Sequence, residues 1–313
     1  MDLVLQICDE FLLDNVWATL VPLSAFPDAY RFSNSSIAFP VADTSSTWSH
    51  IVARLPHPPL PPDHLESLYS AAKPITQVSA WPRAYIPRQL ISLSVLTLIG
   101  IHVLYFLFAW LSYKYIFNHD MMRHPRFLKD QIKLEIQCSL RAFPGMTLLT
   151  LPWFQAEVMG YSKLYDGLDT YGYLYLVAQV PLCVPSHAPS IVFTKLILLR
   201  RFLLFTDYCI YWVHRWLHHP LFYKAIHKPH HKWLSMSLLL SGGPPTHDAY
   251  PVPTPFASHA FHPVDGYLQS VPYHLFIFLF PLHRIVYLVL FVLVNFWSIF
   301  VSSYFPSYPS SFS

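Results

Sequence analysis

The sequence predicts an all-α protein that passes through a membrane several times, and three observations carry that expectation. Of 313 residues, 54% are hydrophobic and only 12% charged, against about 25% charged in a soluble domain. Long apolar runs recur without an intervening charge. Histidines gather at helical spacing beside one of those runs, so the polar chemistry is concentrated rather than spread over a wet surface.

Taken in order, residues 1–90 contain no run long enough to span a bilayer. Asp14–Arg31 and the proline-rich Leu55–Pro62 read as a loop-rich, partly extended arm. Met1–Glu10 is acidic and lacks a basic leader, so targeting is expected to fall to internal membrane segments. Ile91–Phe117 is the clearest span, with no proline and no charge before Lys114. It exceeds the roughly 20 residues a hydrocarbon core requires, and Tyr105, Trp110, Tyr113 and Tyr115 crowd its second half as an interfacial belt would. The basic-leaning loop that follows favours the cytosolic side.

Cys138–Phe154 is interrupted by Pro144, Gly145 and Pro152, as a re-entrant segment or a buried amphipathic helix would be. Ile191–Val213 is apolar but carries Lys195, Arg200, Arg201 and Asp207, which calls for a polar interior on one face. Leu275–Val301, broken at Pro281, is expected to form either a hairpin of two segments or one kinked helix. Three to five membrane segments result.

The net charge of +3 is small and scattered, which excludes a nucleic-acid partner. Four cysteines lie far apart without a CxxC pair, which excludes a disulfide framework and a thiolate metal site. Histidine is the outlier: nine of eighteen fall between His214 and His262. His214 and His218 share a helix face at i, i+4. His227, His230 and His231 place three more imidazoles within one turn. Imidazole suits iron and zinc. A basic membrane-surface helix explains the interleaved Arg215, Lys224, Lys228 and Lys232 but not this spacing. His219, His259 and His262 are further candidate ligands. Asp207 and Asp265 are candidates to orient an imidazole through its second ring nitrogen.

Residues Phe205–Trp233 (FTDYCIYWVHRWLHHPLFYKAIHKPHHKW) and Pro253–Gln269 (PTPFASHAFHPVDGYLQ) resemble the C-5 sterol desaturases, or lathosterol oxidases, of the sterol desaturase and fatty-acid hydroxylase superfamily. Ser79–Arg88, His124–Glu135 and Tyr165–Gly167 fit the same pattern, so the resemblance covers most of residues 79–299. It implies helical hairpins carrying a cytosolic histidine-lined cap with two non-haem irons, in the endoplasmic reticulum membrane. It also implies O2 as oxidant, a delta-7 sterol as substrate, and electrons from NAD(P)H through cytochrome b5 reductase and cytochrome b5. By motif, His214 and His218 form the first histidine box, and His227, His230 and His231 the second.

The family carries a third box beyond its last membrane segment, whereas no histidine follows His283 here. Residues 300–313 form a Ser/Pro/aromatic tail set apart from a desaturase-like domain at 91–299. Within that domain, 177–199 and 234–251 read as insertions, and translated introns would account for all three departures. Two other readings stand beside the desaturase: a sister sterol C-4 methyl oxidase or lipid hydroxylase, and a truncated, inactive membrane pseudoenzyme.

Overall fold

The computed structural model describes residues 1–26, 47–58, 78–123, 127–167, 190–231 and 253–303. The expected insertion at 234–251 lies outside these residues, as do 177–189 and 304–313. The described residues are mostly helical, as the composition and periodicity predict, and the chain divides into two compact units, Met1–Val95 and Leu96–Ser313.

In the first unit, the described residues 2–20 are helical. Helix α1 (Asp2–Cys8) passes through a π-helical turn (Asp9–Leu13) directly into α2 (Asp14–Leu20). A third helix, α3, covers Thr47–Val52. Trp17, Val21, Leu23, Phe26, Val52 and Trp81 form a buried apolar core. An antiparallel bridge between Pro22 and Ser79 ties the two ends of the segment together. The buried Arg88 guanidinium donates to Asp9 Oδ1 at 2.8 Å, Asp14 Oδ1 at 2.6 Å and the Trp81 carbonyl at 2.8 Å. A buried cation is tolerable only when paired in this way. Arg88 lies in the first turn of α4 (Ile86–Tyr115), whose opening residues belong to this unit.

In the second unit, α5 (Gln131–Val158) runs unbroken through Pro144 and Pro152. Each proline removes an intrahelical hydrogen bond, so a break is the natural expectation from sequence; tertiary packing holds the helix instead. Gly145 lies where an added Cβ would come within 2.7 Å of Pro263. Trp153 Nε1 donates to Tyr267 Oη at 3.1 Å. Helix α6 (Ser190–Leu217) and α5 both pack against α7 (Pro263–Leu279). The chain then breaks at Pro281 before α8 (Arg284–Ser303), which decides for two helices over one kinked helix. In the break, β2 (Leu282–His283) pairs in parallel with β1 (Leu164–Tyr165). Among the described residues, α4 and the Arg284–Val301 stretch of α8 are long and apolar enough to cross a membrane.

Candidate metal centre

The centre is assembled from the end of α6 and the short helical path that follows it. His214 and His218 occupy the last turns of α6, where the i, i+4 spacing stacks them on one face. The chain turns at His219, passes through Pro220–Phe222 and a π-helical turn (Tyr223–His227), and closes with Lys228–His231. That path sets His227 and His231 at the same i, i+4 spacing and folds the second pair back onto the first.

The Nε2 atoms of His214 and His218 are 3.2 Å apart, and those of His227 and His231 are 2.9 Å apart. One ligand atom from each of the four histidines lies within 4.8 Å of every other. Metal–imidazole bonds of about 2.0–2.1 Å place neighbouring ligand nitrogens roughly 3 Å apart, so these separations fit a metal cage. His227 and His231 are buried, His214 is half-buried and His218 is exposed. Burial, with His227 beside it, lowers the His218 pKa below the ordinary imidazole value, with Asp265 opposing. This shift favours the neutral, lone-pair-bearing form that a metal requires. Tyr223 stacks on the His218 ring.

Support for the cage comes from α7. Asp265, fully buried, lies 2.9 Å from His227 Nδ1 through Oδ2, while its Oδ1 accepts from Gln269 Nε2 at 2.6 Å. With the Nδ1 proton directed at the carboxylate, His227 turns its Nε2 lone pair toward the other imidazoles, an arrangement that fixes tautomer and ring orientation. The structure thus places Asp265 against the second ring nitrogen of His227. Gln269 was missed, although its i+4 position after Asp265 on a helix was a readable signal.

The remaining candidates fall elsewhere. His219 and His262 are helix N-caps: their Nδ1 atoms accept from Leu221 N and Val264 N, each at 3.3 Å, and each precedes a proline. His259 is buried beside the rings of Tyr105 and Phe143, with Ser258 Oγ 3.0 Å from its Nδ1. Burial pushes its pKa down to about 4 despite a hydrogen bond with Asn295. None of the three belongs to the four-histidine group. Asp207 is exposed on α6, and among the described residues no hydrogen bond joins it to those histidines. His230 lies in the Lys228–His231 turn, and its side chain is outside the described residues.

A model of the fatty acid hydroxylase family matches residues 199–312, a stretch that contains the histidine centre and α7 and also 234–251 and 300–312. The chain is 40% identical to a Δ(7)-sterol 5(6)-desaturase of Aspergillus fumigatus, over 96% of this chain and 73% of that protein. It is likewise 40% identical to the Leptosphaeria maculans enzyme of that name, over 96% of this chain and 74% of the relative. The chain belongs to the Δ(7)-sterol 5(6)-desaturase family. Human lathosterol oxidase is 44% identical over 72% of this chain and 64% of its own length. Members of the Δ(7)-sterol 5(6)-desaturase family are oxidoreductases. No solved structure matches the chain.

Proposed function

We propose that this chain is an O2-dependent sterol C-5 desaturase of the endoplasmic reticulum membrane that introduces a Δ5 double bond into a Δ7 sterol. The observation that carries the reading is the convergence of four imidazoles backed by Asp265 in a chain 40% identical to two Δ(7)-sterol 5(6)-desaturases. His214, His218, His227, His230 and His231 are the residues that would hold non-haem iron. The described four suffice for one ion, and a two-iron site draws on His230 and further ligands. Iron bound there supplies reduction of dioxygen coupled to loss of two hydrogens from an unactivated carbon pair.

The protein's own contribution is positional. Asp265 retains the Nδ1 proton of His227 and fixes the ring, and Gln269 fixes Asp265 in turn. The two i, i+4 pairs bring one nitrogen from each of four imidazoles within 4.8 Å of one another, the clustering that a shared metal ion would require. Electrons are expected from NAD(P)H by way of cytochrome b5. The reaction balances as sterol, O2, two electrons and two protons giving the diene and two waters. Helices α4 and α8 anchor the chain in the bilayer that dissolves its substrate.

Expression of this 313-residue chain in cells lacking their own C-5 sterol desaturase tests the reading. Δ5,7 sterols should appear, and purified protein should contain iron. Accumulation of Δ7 sterols with the chain present in the membrane fraction would overturn it and favour the inactive reading.

A further inference from the structure

The first unit carries an apolar surface that the function above does not use. Ile7, Phe11, Leu12, Val16 and Leu20 are all exposed, Phe11 by 77%. Their spacing does not suit an α-helix: Val16 would lie about 140° around the axis from Phe11 at 100° per residue. The π-helical turn Asp9–Leu13, closed by the Asp14 N–H bonding the Asp9 carbonyl five residues back, absorbs the extra residue. Beyond the turn, Val16 and Leu20 therefore continue the line of Ile7 and Phe11 as one stripe, with Leu12 beside it within the turn. The same shift aligns Asp9 and Asp14 on the opposite side, where both grip Arg88. Trp48 of α3 extends the stripe at its end, half exposed, with its indole Nε1 bonded to the Leu20 carbonyl at 3.0 Å.

We infer that the continuous helix Asp2–Leu20 lies in the plane of the bilayer, with this stripe among the lipids. The inference rests on the membrane reading of α4. Its occupant follows from where the stripe is tethered: Arg88, which Asp9 and Asp14 hold, is two residues into α4 and three before the apolar run that begins at Ile91. The stripe is thereby fixed beside the point where the chain enters its first span. Trp48 is the residue type that favours a membrane interface. Charge selects the lipid. The helix has no lysine or arginine, and residues 1–95 contain eight acidic against five basic side chains, so attraction to anionic headgroups plays no part. The stripe binds by apolar burial, in neutral phosphatidylcholine and independently of salt.

The test is a spin-label scan of the full chain in phosphatidylcholine vesicles, in a Cys8→Ser, Cys138→Ser, Cys183→Ser, Cys209→Ser background. Labels at positions 7, 11, 12, 16 and 20 should show severalfold higher oxygen-to-nickel accessibility than labels at 6, 10, 15 and 19. Water-like accessibility at the stripe overturns the inference, as does protection from both reagents, which would mean a protein cover. A label at Val103, exposed midway along α4, reports separately on the membrane reading: loss of its lipid signature sinks that reading first. A photoreactive phenylalanine at position 11 in the cysteine-intact chain gives a second measurement. Crosslinks to phosphatidylcholine support the inference, and crosslinks to protein alone, or none, overturn it.

Discussion

The two ring nitrogens of His227 have separate assignments, and the side chains around them show how the site is held. Nδ1 faces buried Asp265 and Nε2 faces the other imidazoles, so Asp265→Ala would strand both His227 and Gln269. Loss of such a supporting carboxylate typically costs 10–100-fold in metal affinity or activity. The expected outcome is a matching fall in iron per chain and in Δ5,7 sterol yield, with Gln269→Leu producing a smaller loss. His219 and His262 make the opposite prediction. As caps, each should cost about 1 kcal/mol on replacement by alanine, recovered by His219→Ser and His262→Asp, with iron content unchanged throughout. Thermal melts and metal analysis on the same samples separate a cap from a ligand. At this scale the sequence was half legible. The i, i+4 spacing of the histidine pairs is legible in the sequence, and so are the two His-Pro dipeptides, each a capping residue followed by proline at N1, although the dense histidine around them also makes both residues candidate ligands.

Among the elements, the 3-10 turn Pro255–His259 is tied to α5 through a buried carboxyl. Glu135 accepts from Gln131 Nε2 at 2.7 Å and from the Thr254 amide at 3.4 Å, and a further hydrogen bond joins it to the Thr254 hydroxyl. Burial raises its pKa to about 7 while those hydrogen bonds pull it down. Because the folded value stands above the ordinary 4.5, the group's contribution to stability is complete below that pH and is lost as pH rises through about 7. Glu135→Gln keeps the contacts without the charge, so its melting temperature should match the wild type near pH 5 and exceed it above pH 8, by an amount on the order of 2 kcal/mol in stability. A wild-type melt that is flat across this range would remove Glu135 as the cause. Tight packing makes a second prediction. A Cβ at Gly266 would lie 2.0 Å from the Phe261 ring, so Gly266→Ala must displace Phe261 or the start of α7 beside Asp265. Overpacking of this kind costs about 1–3 kcal/mol, and iron occupancy should fall with it. Element boundaries were legible where period and proline agreed, as at the α7–α8 break. They were not where a π-helical turn shifted the period, as over 2–20, or where packing carried α5 through two prolines.

For the molecule as a whole, the composition and the two apolar helices argue for lipid, and the burial of those helices sharpens the argument. An apolar helix in a soluble protein is covered by its neighbours, yet only 17% of the apolar window in α4 and 22% of that in α8 is buried. Ile91, Val95, Ile99, Val103 and Leu107 stand exposed at four-residue intervals along α4, a line of side chains that water would not tolerate at this length. The number of spans was not legible because length and hydropathy fix which segments are able to cross, whereas helices such as α5 and α6 divide their surface between protein and other surroundings. The consequence is measurable at Val103. In water, Val103→Lys on an exposed helix face would be nearly neutral, within about 0.5 kcal/mol. At the centre of a membrane span it costs about 2.5–3.5 kcal/mol. The lysine variant should therefore lose its resistance to alkaline carbonate extraction or fail to accumulate, while Val103→Leu behaves as wild type. Equal extraction of all three would return α4 to the aqueous side and leave its apolar line in need of a protein partner.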